Sequence, residues 1–218
     1  AIEGKLRQMP GVVFLRDLFV KYETTPLAAV KTVDSKSAVI FHTSGTTKGI
    51  HKPIPMSDQA MNAAAIGMQS LPQLKELAGK AKVLISVDPS NVYGMVDQIH
   101  LPLALGCTLV IVPMGANTLS FCRAINFYKA DIVFTSASYL DVWFGAVAQG
   151  TIKVDFSSVK MMIAGGSYIS ADNRKRYNDF LAANGGTVKL TNGYGLSEAG
   201  GACILADPES EGDVIGYS

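Results

Sequence analysis

The chain has 218 residues, of which 48% are hydrophobic and 17% charged, and its formal net charge is +1. This composition predicts a compact globular protein with a sizeable core, and the small net charge gives no electrostatic basis for binding nucleic acid or a membrane surface. The longest apolar stretch, residues 101–113, is too short to span a bilayer. Three widely spaced cysteines form no metal-type pair, and their odd number argues against a disulfide framework. We therefore expect buried free thiols and a reducing compartment, the cytoplasm.

The first segment, residues 1–37, differs in pattern from the rest of the chain. Its apolar centre lies between charged flanks and is interrupted by Pro26, so we interpret it as an incoming segment packed on the main unit. The chain opens at Ala1 and ends at Ser218 without the features of a finished terminus. Residues 38–218 are accordingly expected to be the core unit of a longer protein.

Apolar, β-branched runs alternate with amphipathic helical patterns from residue 38 onwards. The runs predict strands at 38–41, 83–87, 108–112, 132–135, 160–163 and 187–190. Because they are apolar on both sides of the pleat, they suit a parallel sheet that is covered on both faces. Ser57, Ser138 and Ser170 are candidate N-caps of the helices between them. The prediction is an α/β fold with a mostly parallel sheet and helices on both faces.

The first predicted strand runs into a turn of small and hydroxyl-bearing residues that ends in a lysine. The turn contains Thr43, Ser44, Gly45, Thr46 and Thr47, and Lys52 follows. Small residues let backbone N–H groups approach an anion, hydroxyls add uncharged donors, and a lysine supplies a mobile cation for phosphates. The glycine spacing excludes a Walker-type loop. A phosphate-binding turn is predicted, and a solvated Ser/Thr loop is the alternative.

Two further motifs follow the later predicted strands. Gly165, Gly166 and Ser167 form a turn at a strand end, for which a plain strand-to-helix turn is the alternative. Residues 192–198 bring an aromatic ring, a hydroxyl and a carboxylate close together, as a nucleotide and its metal ion require. One or two carboxylates are what the protein usually supplies to a Mg²⁺ that bridges phosphates. An exposed acidic turn is the alternative for this second motif.

In combination, these motifs resemble those of the adenylate-forming enzymes. That superfamily includes acyl- and aryl-CoA synthetases, luciferases and the adenylation domains of nonribosomal peptide synthesis. The turn at 43–52 resembles its phosphate loop, residues 165–170 its strand-end glycine turn, and residues 192–198 its G-Y-G-x-T-E motif. The phosphate loop departs from the usual form, because Lys48 stands where glycine is expected and His51 precedes the lysine in place of proline. Whether Lys52 matches the family lysine is left open by this change.

The resemblance implies a role for each motif. Tyr194 would stack on adenine, Ser197 would bind the α-phosphate, and Glu198 would help to hold Mg²⁺, so that Ser197 and Glu198, with Lys52, form the catalytic group. The implied nucleotide contacts are Thr43, Ser44, Gly45, Thr46, Thr47, Gly165, Gly166, Ser167, Asn192, Gly193, Tyr194 and Gly195. In the implied reaction a carboxylate attacks the α-phosphorus of Mg·ATP to give an acyl-adenylate and pyrophosphate. A thiol of coenzyme A or of a carrier protein then takes the acyl group.

Residues 91–94 bear on which acid is activated. They resemble a histidine-x-x-glycine segment of acyl-CoA synthetases, with Asn91 in place of the histidine. Amino-acid-activating domains carry an aspartate in this region, but Asp88 lies 18 residues before Gly106, a longer spacing than that class implies. We therefore favour an acid without an amino group. Candidate pocket walls, for which plain core is the alternative, are Asn91, Val92, Tyr93, Tyr139 and Trp143.

Three hypotheses about function follow from this resemblance. The favoured one is an acyl- or aryl-CoA synthetase, and the alternatives are an adenylation domain that loads a carrier protein and a non-catalytic module that binds a nucleotide or acyl group. The family's ribose-binding aspartate, hinge and mobile C-terminal domain with its lysine have no counterpart in this sequence. We therefore expect the 218-residue chain alone to be inactive.

Overall fold

The computed structural model describes residues 7–10, 17, 20–21, 23, 36–43, 51–113, 117 and 119–210. The chain divides into two compact units, Ala1–Val33 and Asp34–Ser218. In the first unit the guanidinium of Arg7 pairs with the carboxylate of Asp17 at 2.6 Å. The second unit contains the sheets and their helices.

A small antiparallel sheet comes first in the second unit. It pairs β1 (Ser37–His42) with β2 (Pro53–Ser57), and these two strands do not join the main sheet. The prediction that residues 38–41 form a buried strand of the parallel sheet is therefore wrong. Phe41 is the buried residue of β1, and Ile40 is exposed, because one side of this two-stranded ribbon is left uncovered.

Six strands form the main sheet in the described part of the chain, in the order β4-β3-β5-β6-β7-β8. Their bounds are Lys82–Ile85 for β3, Thr108–Ile111 for β4, Ile132–Thr135 for β5, Met161–Ala164 for β6, Leu190–Leu196 for β7 and Gly201–Leu205 for β8. Neighbouring strands from β4 to β7 are parallel, and β8 returns antiparallel to β7. The predicted α/β fold with a mostly parallel sheet is confirmed.

Helices cover both faces of this sheet. On one face lie α1 (Asp58–Gln69), α2 (Pro72–Leu77), a π-helix (Tyr93–His100) and α3 (Leu101–Ala104), and on the other lie α4 (Leu119–Tyr128), α5 (Ala137–Ala148) and α6 (Ala171–Ala183). Alternate residues of each strand pack into two hydrophobic cores, one on each face of the sheet. Val83 and Phe134 pack on the first face, whereas Leu84 and Val133 pack on the second. None of the helices in the described residues is long and apolar enough to cross a membrane.

Serine caps start three of the helices. Ser57 accepts the N–H of Ala60 at 3.2 Å and Ser170 accepts that of Asn173 at 3.3 Å, which confirms both predicted caps. The cap of α5 is Ser136 and not the predicted Ser138. Ser136 lies between the end of β5 and the first residue of α5, has the extended backbone of a cap, and accepts the N–H of Tyr139 at 3.4 Å.

The three cysteines are free thiols, but they differ in exposure. Cys107 and Cys122 are buried, as predicted. Cys203 is exposed, so the prediction of a third buried thiol is wrong. It lies on β8, the last strand of the described sheet, and the alternation of that strand turns its side chain outward.

Candidate functional site

The π-helix Tyr93–His100 is fixed at the carboxyl ends of the central strands. The hydroxyl of Tyr93 donates to the carbonyl of Thr135, the last residue of β5, at 3.1 Å. The amide oxygen of Gln98 accepts the N–H of Ser86, just past β3, at 2.9 Å. Open α/β sheets bind ligands at the carboxyl ends of their strands, and π-helices are frequent at functional sites. This end of the sheet is therefore the candidate site.

Two of the predicted motifs lie side by side here. Ala164 at the end of β6 pairs in parallel with Asn192 of β7, so Gly165 directly follows a strand that neighbours the second motif. A Cβ atom added at Gly165 would lie 3.3 Å from the carbonyl oxygen of Gly193 and 3.4 Å from Cζ of Tyr93. The absence of a side chain at position 165 thus lets the π-helix approach the ends of β6 and β7.

The motif at 192–198 lies mostly within a strand and not in a loop after one. The predicted strand at 187–190 is wrong in its bounds, because β7 begins at Leu190 and extends to Leu196. Glycine makes this pairing possible, since a Cβ atom at Gly195 would meet the carbonyl oxygen of Gly201 at 2.3 Å. The ring of Tyr194 is 43% exposed and is therefore accessible to a ligand.

Ser197 and Glu198 occupy the short 3₁₀ turn Ser197–Ala199 between β7 and β8. Gly200 ends the turn at φ +88° and its N–H donates to the carbonyl of Ser197 at 3.2 Å. A Cβ atom at Gly200 would lie 3.8 Å from Cε of Met56 on β2. The turn that carries the predicted metal-binding carboxylate therefore adjoins the β1–β2 hairpin.

The β1–β2 hairpin carries the predicted phosphate turn. Thr43 donates its N–H to the carbonyl of Lys52 at 3.0 Å, and the hydroxyl of Thr43 accepts the N–H of Lys52 at 3.0 Å. Nδ1 of His51 lies 2.7 Å from the carbonyl oxygen of Thr43. The predicted turn residues outside the described part of the chain are Ser44, Gly45, Thr46 and Thr47. The two ends of the turn are thus joined, and the side chain of Lys52 is exposed.

Of the candidate acyl-pocket residues, three lie at the start of the π-helix. The amide oxygen of Asn91 accepts the N–H of Gly94 at 2.9 Å, which fixes the first turn of the helix. Val92 is buried in a small cluster with Phe41, and Tyr93 lies beside Gly165. Tyr93 is thus the candidate that directly borders the motifs at 165 and 193.

The structure does not bring Trp143 to this group. Its indole is fully buried in the core on the opposite face of the sheet, with Leu140 and Tyr177, so it is a core residue. Tyr139 is half-buried near the start of α5 and stacks on Phe121, with ring centroids 5.7 Å apart. The proposed pocket wall therefore reduces to the residues of the π-helix and the strand ends.

Two buried polar residues of the π-helix escaped the sequence analysis. Asp97 is 1% exposed and Gln98 is fully buried. Burial raises the pKa of Asp97 to about 7, and the N–H of Ala202 opposes this shift. Burial, together with the nearby charge of Asp97, also raises the pKa of Tyr93. The sequence signal that could have identified these two residues was a carboxylate and an amide side chain inside a mostly apolar segment.

The donor set of the site fits a metal ion that arrives with phosphates. Glu198 contributes one exposed carboxylate at the hairpin turn. In the described residues no group of three or more His, Cys, Asp or Glu side chains could hold a metal ion. A Mg²⁺ bound to phosphates needs only one or two protein carboxylates, in contrast to an all-protein cage. Glu198 thus suits a nucleotide-borne Mg²⁺.

Comparison with known proteins gives consistent matches. A family model described as AMP-binding enzyme matches residues 8–217. The chain is 25% identical over 175 residues to peroxisomal OPC-8:0-CoA ligase 1 of Arabidopsis thaliana, a match that covers 80% of this chain and 31% of the ligase.

Solved structures match the same region by fold. One is the adenylation domain of a keto acid-selecting NRPS module bound to keto acyl adenylate, with a TM-score of 0.72, 18% identity, and coverage of 82% of this chain and 32% of that one. Another is ATP-bound MatB from Rhodopseudomonas palustris, with a TM-score of 0.68, 13% identity, and coverage of 88% and 35%. The chain thus spans about a third of the length of these relatives.

Proposed function

Because this chain belongs to the AMP-binding enzyme family and its motifs resemble those of adenylate-forming enzymes, we propose that its protein activates a carboxylic acid with ATP and transfers the acyl group to a thiol. The observation that carries this proposal is the pairing of Ala164 with Asn192. It sets the strand-end glycine turn beside the Gly-Tyr-Gly segment, at the end of the sheet where open α/β folds bind ligands.

In the proposed complex the adenine ring lies along the backbone at Gly165 and Gly166, with Ser167, Asn192 and Gly193 around it. No atom lies within 4 Å of a Cβ added at Gly166, so a flat ring has room there, and Gly166 adopts φ +84°, a conformation that favours glycine. At Gly165 the ring would meet the backbone only, because Tyr93 and the carbonyl of Gly193 occupy the side-chain position. The exposed ring of Tyr194 supplies a stacking surface. Gly195 keeps β7 close to β8, so that this surface stays in place.

The phosphates extend towards the 3₁₀ turn between β7 and β8 and towards the β1–β2 hairpin. Ser197 donates its hydroxyl to the α-phosphate, Glu198 contributes a carboxylate to Mg²⁺, and Lys52 supplies a cation. The metal ion would neutralise phosphate charge when bound. Residues 43–47 would contribute backbone and hydroxyl donors, as the sequence resemblance implies.

The chemistry requires no nucleophile from the protein. A carboxylate oxygen of the acid forms a bond to the α-phosphorus, and the bond from that phosphorus to pyrophosphate breaks. The acyl-adenylate then reacts with a thiol sulfur, and AMP leaves. Positioning of the two reactants and stabilisation of developing phosphate charge account for catalysis of this kind.

We further propose an acid without an α-amino group, and coenzyme A as the acceptor. The carboxylate of Asp88 accepts the N–H of Ser90 at 2.7 Å, and this hydrogen bond lowers the pKa of Asp88. The carboxylate of Asp88 is therefore already hydrogen-bonded within its own turn, and the residue is exposed to solvent. The similarity to a CoA ligase favours coenzyme A over a carrier protein.

The test is ATP–pyrophosphate exchange by the full-length protein with acyl, aryl and amino acids in parallel. We expect exchange with a non-amino acid, followed by thioester formation with coenzyme A. Exchange with amino acids and transfer only to a carrier protein would support the adenylation-domain alternative. Nucleotide binding without exchange for any acid would support a non-catalytic module.

The organisation of the protein is proposed on the same basis. Residues 1–37 act as a segment leading into an AMP-binding core at 38–218. For the compartment we propose the cytoplasm, because the free thiols favour reducing conditions. The 218-residue chain alone is expected to bind adenine nucleotides weakly and to lack turnover, because it lacks the ribose-binding and closing elements that the resemblance implies. Robust acyl-adenylate formation by the purified chain would contradict this.

A further inference from the structure

Asp97 joins two segments that are distant in sequence. Its two carboxylate oxygens lie 3.1 and 3.3 Å from the backbone nitrogen of Ala202, and they accept the N–H of that residue. The side chain is 1% exposed, so water does not compete for this contact. In this buried environment of low dielectric, the hydrogen bond is stronger than it would be in water.

The backbone opposite Asp97 is shaped to accept it. Gly201 adopts φ +127°, and a Cβ atom there would lie 2.8 Å from each carboxylate oxygen. Gly200 before it adopts φ +88°. Because both conformations favour glycine and a side chain at position 201 would clash, the two glycines let β8 begin directly against the carboxyl group.

This contact lies at the start of β8, directly after the turn that connects β7 to β8. Gly195 pairs with Ala202, and Leu196 pairs with Gly201, so the two residues that contact Asp97 close the turn Ser197–Ala199. Fixing Ala202 therefore fixes the returning end of the turn that carries Glu198.

The other end of the contact is a rigid support. Besides Asp97, the π-helix is tied to the strand ends by Tyr93, through the carbonyl of Thr135, and by Gln98, through the N–H of Ser86. The position of Asp97 is thus set by the sheet itself. We propose that Asp97 is a positioning residue, whose buried carboxyl group holds the turn carrying Ser197 and Glu198 in the orientation needed for adenylation.

This inference rests on the proposed function, and the experiment separates the two. In the full-length protein, Asp97→Ala removes the acceptor, while Asp97→Asn keeps an amide oxygen for the N–H of Ala202. Asp131→Asn is the matched control, because Asp131 also accepts a distant backbone N–H, that of Lys82 at 2.9 Å, but at the amino ends of the strands.

For Asp97→Ala we expect kcat of pyrophosphate exchange to fall about 30-fold, since small misplacements of a catalytic group can cost up to ~10²-fold. The KM for the acid should change less than twofold. Asp97→Asn should recover kcat to within about threefold of the wild type, and Asp131→Asn should retain it. Exchange by the wild type is the condition for these comparisons, and its absence with every acid would refute the proposed function instead.

Hydrogen exchange gives a readout that needs no activity. Amides of residues 196–203 should exchange at least 10-fold faster in Asp97→Ala than in the wild type and at an intermediate rate in Asp97→Asn, while those of α6 stay unchanged. If Asp97→Ala does not fold, the Asp97→Asn protein decides by the same comparison. Unchanged exchange at 196–203, wild-type kcat in Asp97→Ala, or an equal loss of kcat in Asp131→Asn would overturn the proposal.

Discussion

The two hairpins at the candidate site are held in different ways. The β1–β2 hairpin closes on itself, through reciprocal bonds between Thr43 and Lys52. The β7–β8 hairpin is tied to distant parts of the chain, because β7 is a strand of the main sheet and Ala202 of β8 bonds to Asp97. The first hairpin is closed by bonds between its own residues and packs on the π-helix through Phe41 and Met56, whereas the second is part of the main sheet.

This difference predicts how each hairpin responds to change. Substitutions in the paired strands of the β7–β8 hairpin should alter stability and activity together, since these strands belong to the packed sheet, whereas the exposed side chain of Glu198 in its turn should affect activity alone. Substitution of Lys52 in the β1–β2 hairpin should alter ligand binding with little effect on folding, because the side chain of this residue is exposed and its closing bonds involve its backbone. The following experiments test that contrast.

The largest effect is expected for Gly195→Ala. The added Cβ would meet the carbonyl oxygen of Gly201 at 2.3 Å, so β7 and β8 must separate. We expect the free energy of unfolding to fall by about 2 kcal/mol, and adenylation to fall by about 10²-fold. Gly67→Ala in α1 is the control, because no atom lies within 4 Å of its added Cβ, and it should stabilise by about 0.5–1 kcal/mol. Denaturant titration measures both, and equal stabilities of the two variants would contradict the contrast.

Glu198→Gln is expected to lower adenylation by about 10-fold or more, since one well-placed charge contributes roughly 1.5–3 kcal/mol. The fold should be retained, because the side chain is exposed. Pyrophosphate exchange over a range of Mg²⁺ concentrations is the measurement. Glu209→Gln removes another exposed carboxylate, which pairs with Lys189, and should leave exchange unchanged. An equal response of the two variants would remove the case for a metal-binding role of Glu198.

Lys52→Met tests the β1–β2 hairpin. We expect the KM for ATP to rise about fivefold, as the loss of one exposed charge of about 1 kcal/mol implies, with an unchanged melting temperature. Lys153→Met, which removes an exposed cation outside the candidate site, is the control. A wild-type KM in Lys52→Met would show that Lys52 is not the phosphate-binding lysine.

The smallest expected effect is on the pH dependence of the free energy of unfolding. Because the pKa of Asp97 is raised to about 7, folding keeps a proton on this group that the unfolded chain releases at lower pH. Its contribution to stability is complete below about pH 4 and is lost as the pH rises through about 7. Between pH 6 and 8 the free energy of unfolding should fall by about 1 kcal/mol, and Asp97→Asn should remove that part of the slope. If denaturant titrations gave the same pH dependence of the free energy of unfolding for the wild type and Asp97→Asn, the raised pKa of Asp97 would be contradicted.

Local patterns in the sequence were sufficient for the central strands and for two of the three helix caps. The run at 132–135 coincides with β5, since a strand buried on both faces must be apolar at every position. Ser57 and Ser170 cap their helices with hydroxyl groups, a contact decided within three residues. The third predicted cap is two residues too late, because Ser136 and Ser138 are both suitable capping residues and α5 begins at Ala137.

The errors arise where distant segments decide the structure. Residues 38–41 look like a core strand, but pairing with β2 places them in a separate ribbon. The glycines at 193 and 195 look like a turn, but pairing with β8 keeps them in a strand. The apolar run around Asp97 indicates burial, but the residue that it contacts, Ala202, lies 105 positions later. No local pattern contains that information.

The π-helix makes the length of one segment matter as well as its composition. Its hydrogen bonds span five residues, so side chains five apart, such as Tyr93 and Gln98, share a face and reach neighbouring strand ends. A one-residue deletion between them would restore an ordinary helical turn and rotate one of the pair away from the sheet. A tolerance map of this protein should therefore show that the segment 93–100 accepts no change in residue number, even next to partly exposed positions such as Ile99 where substitutions are accepted.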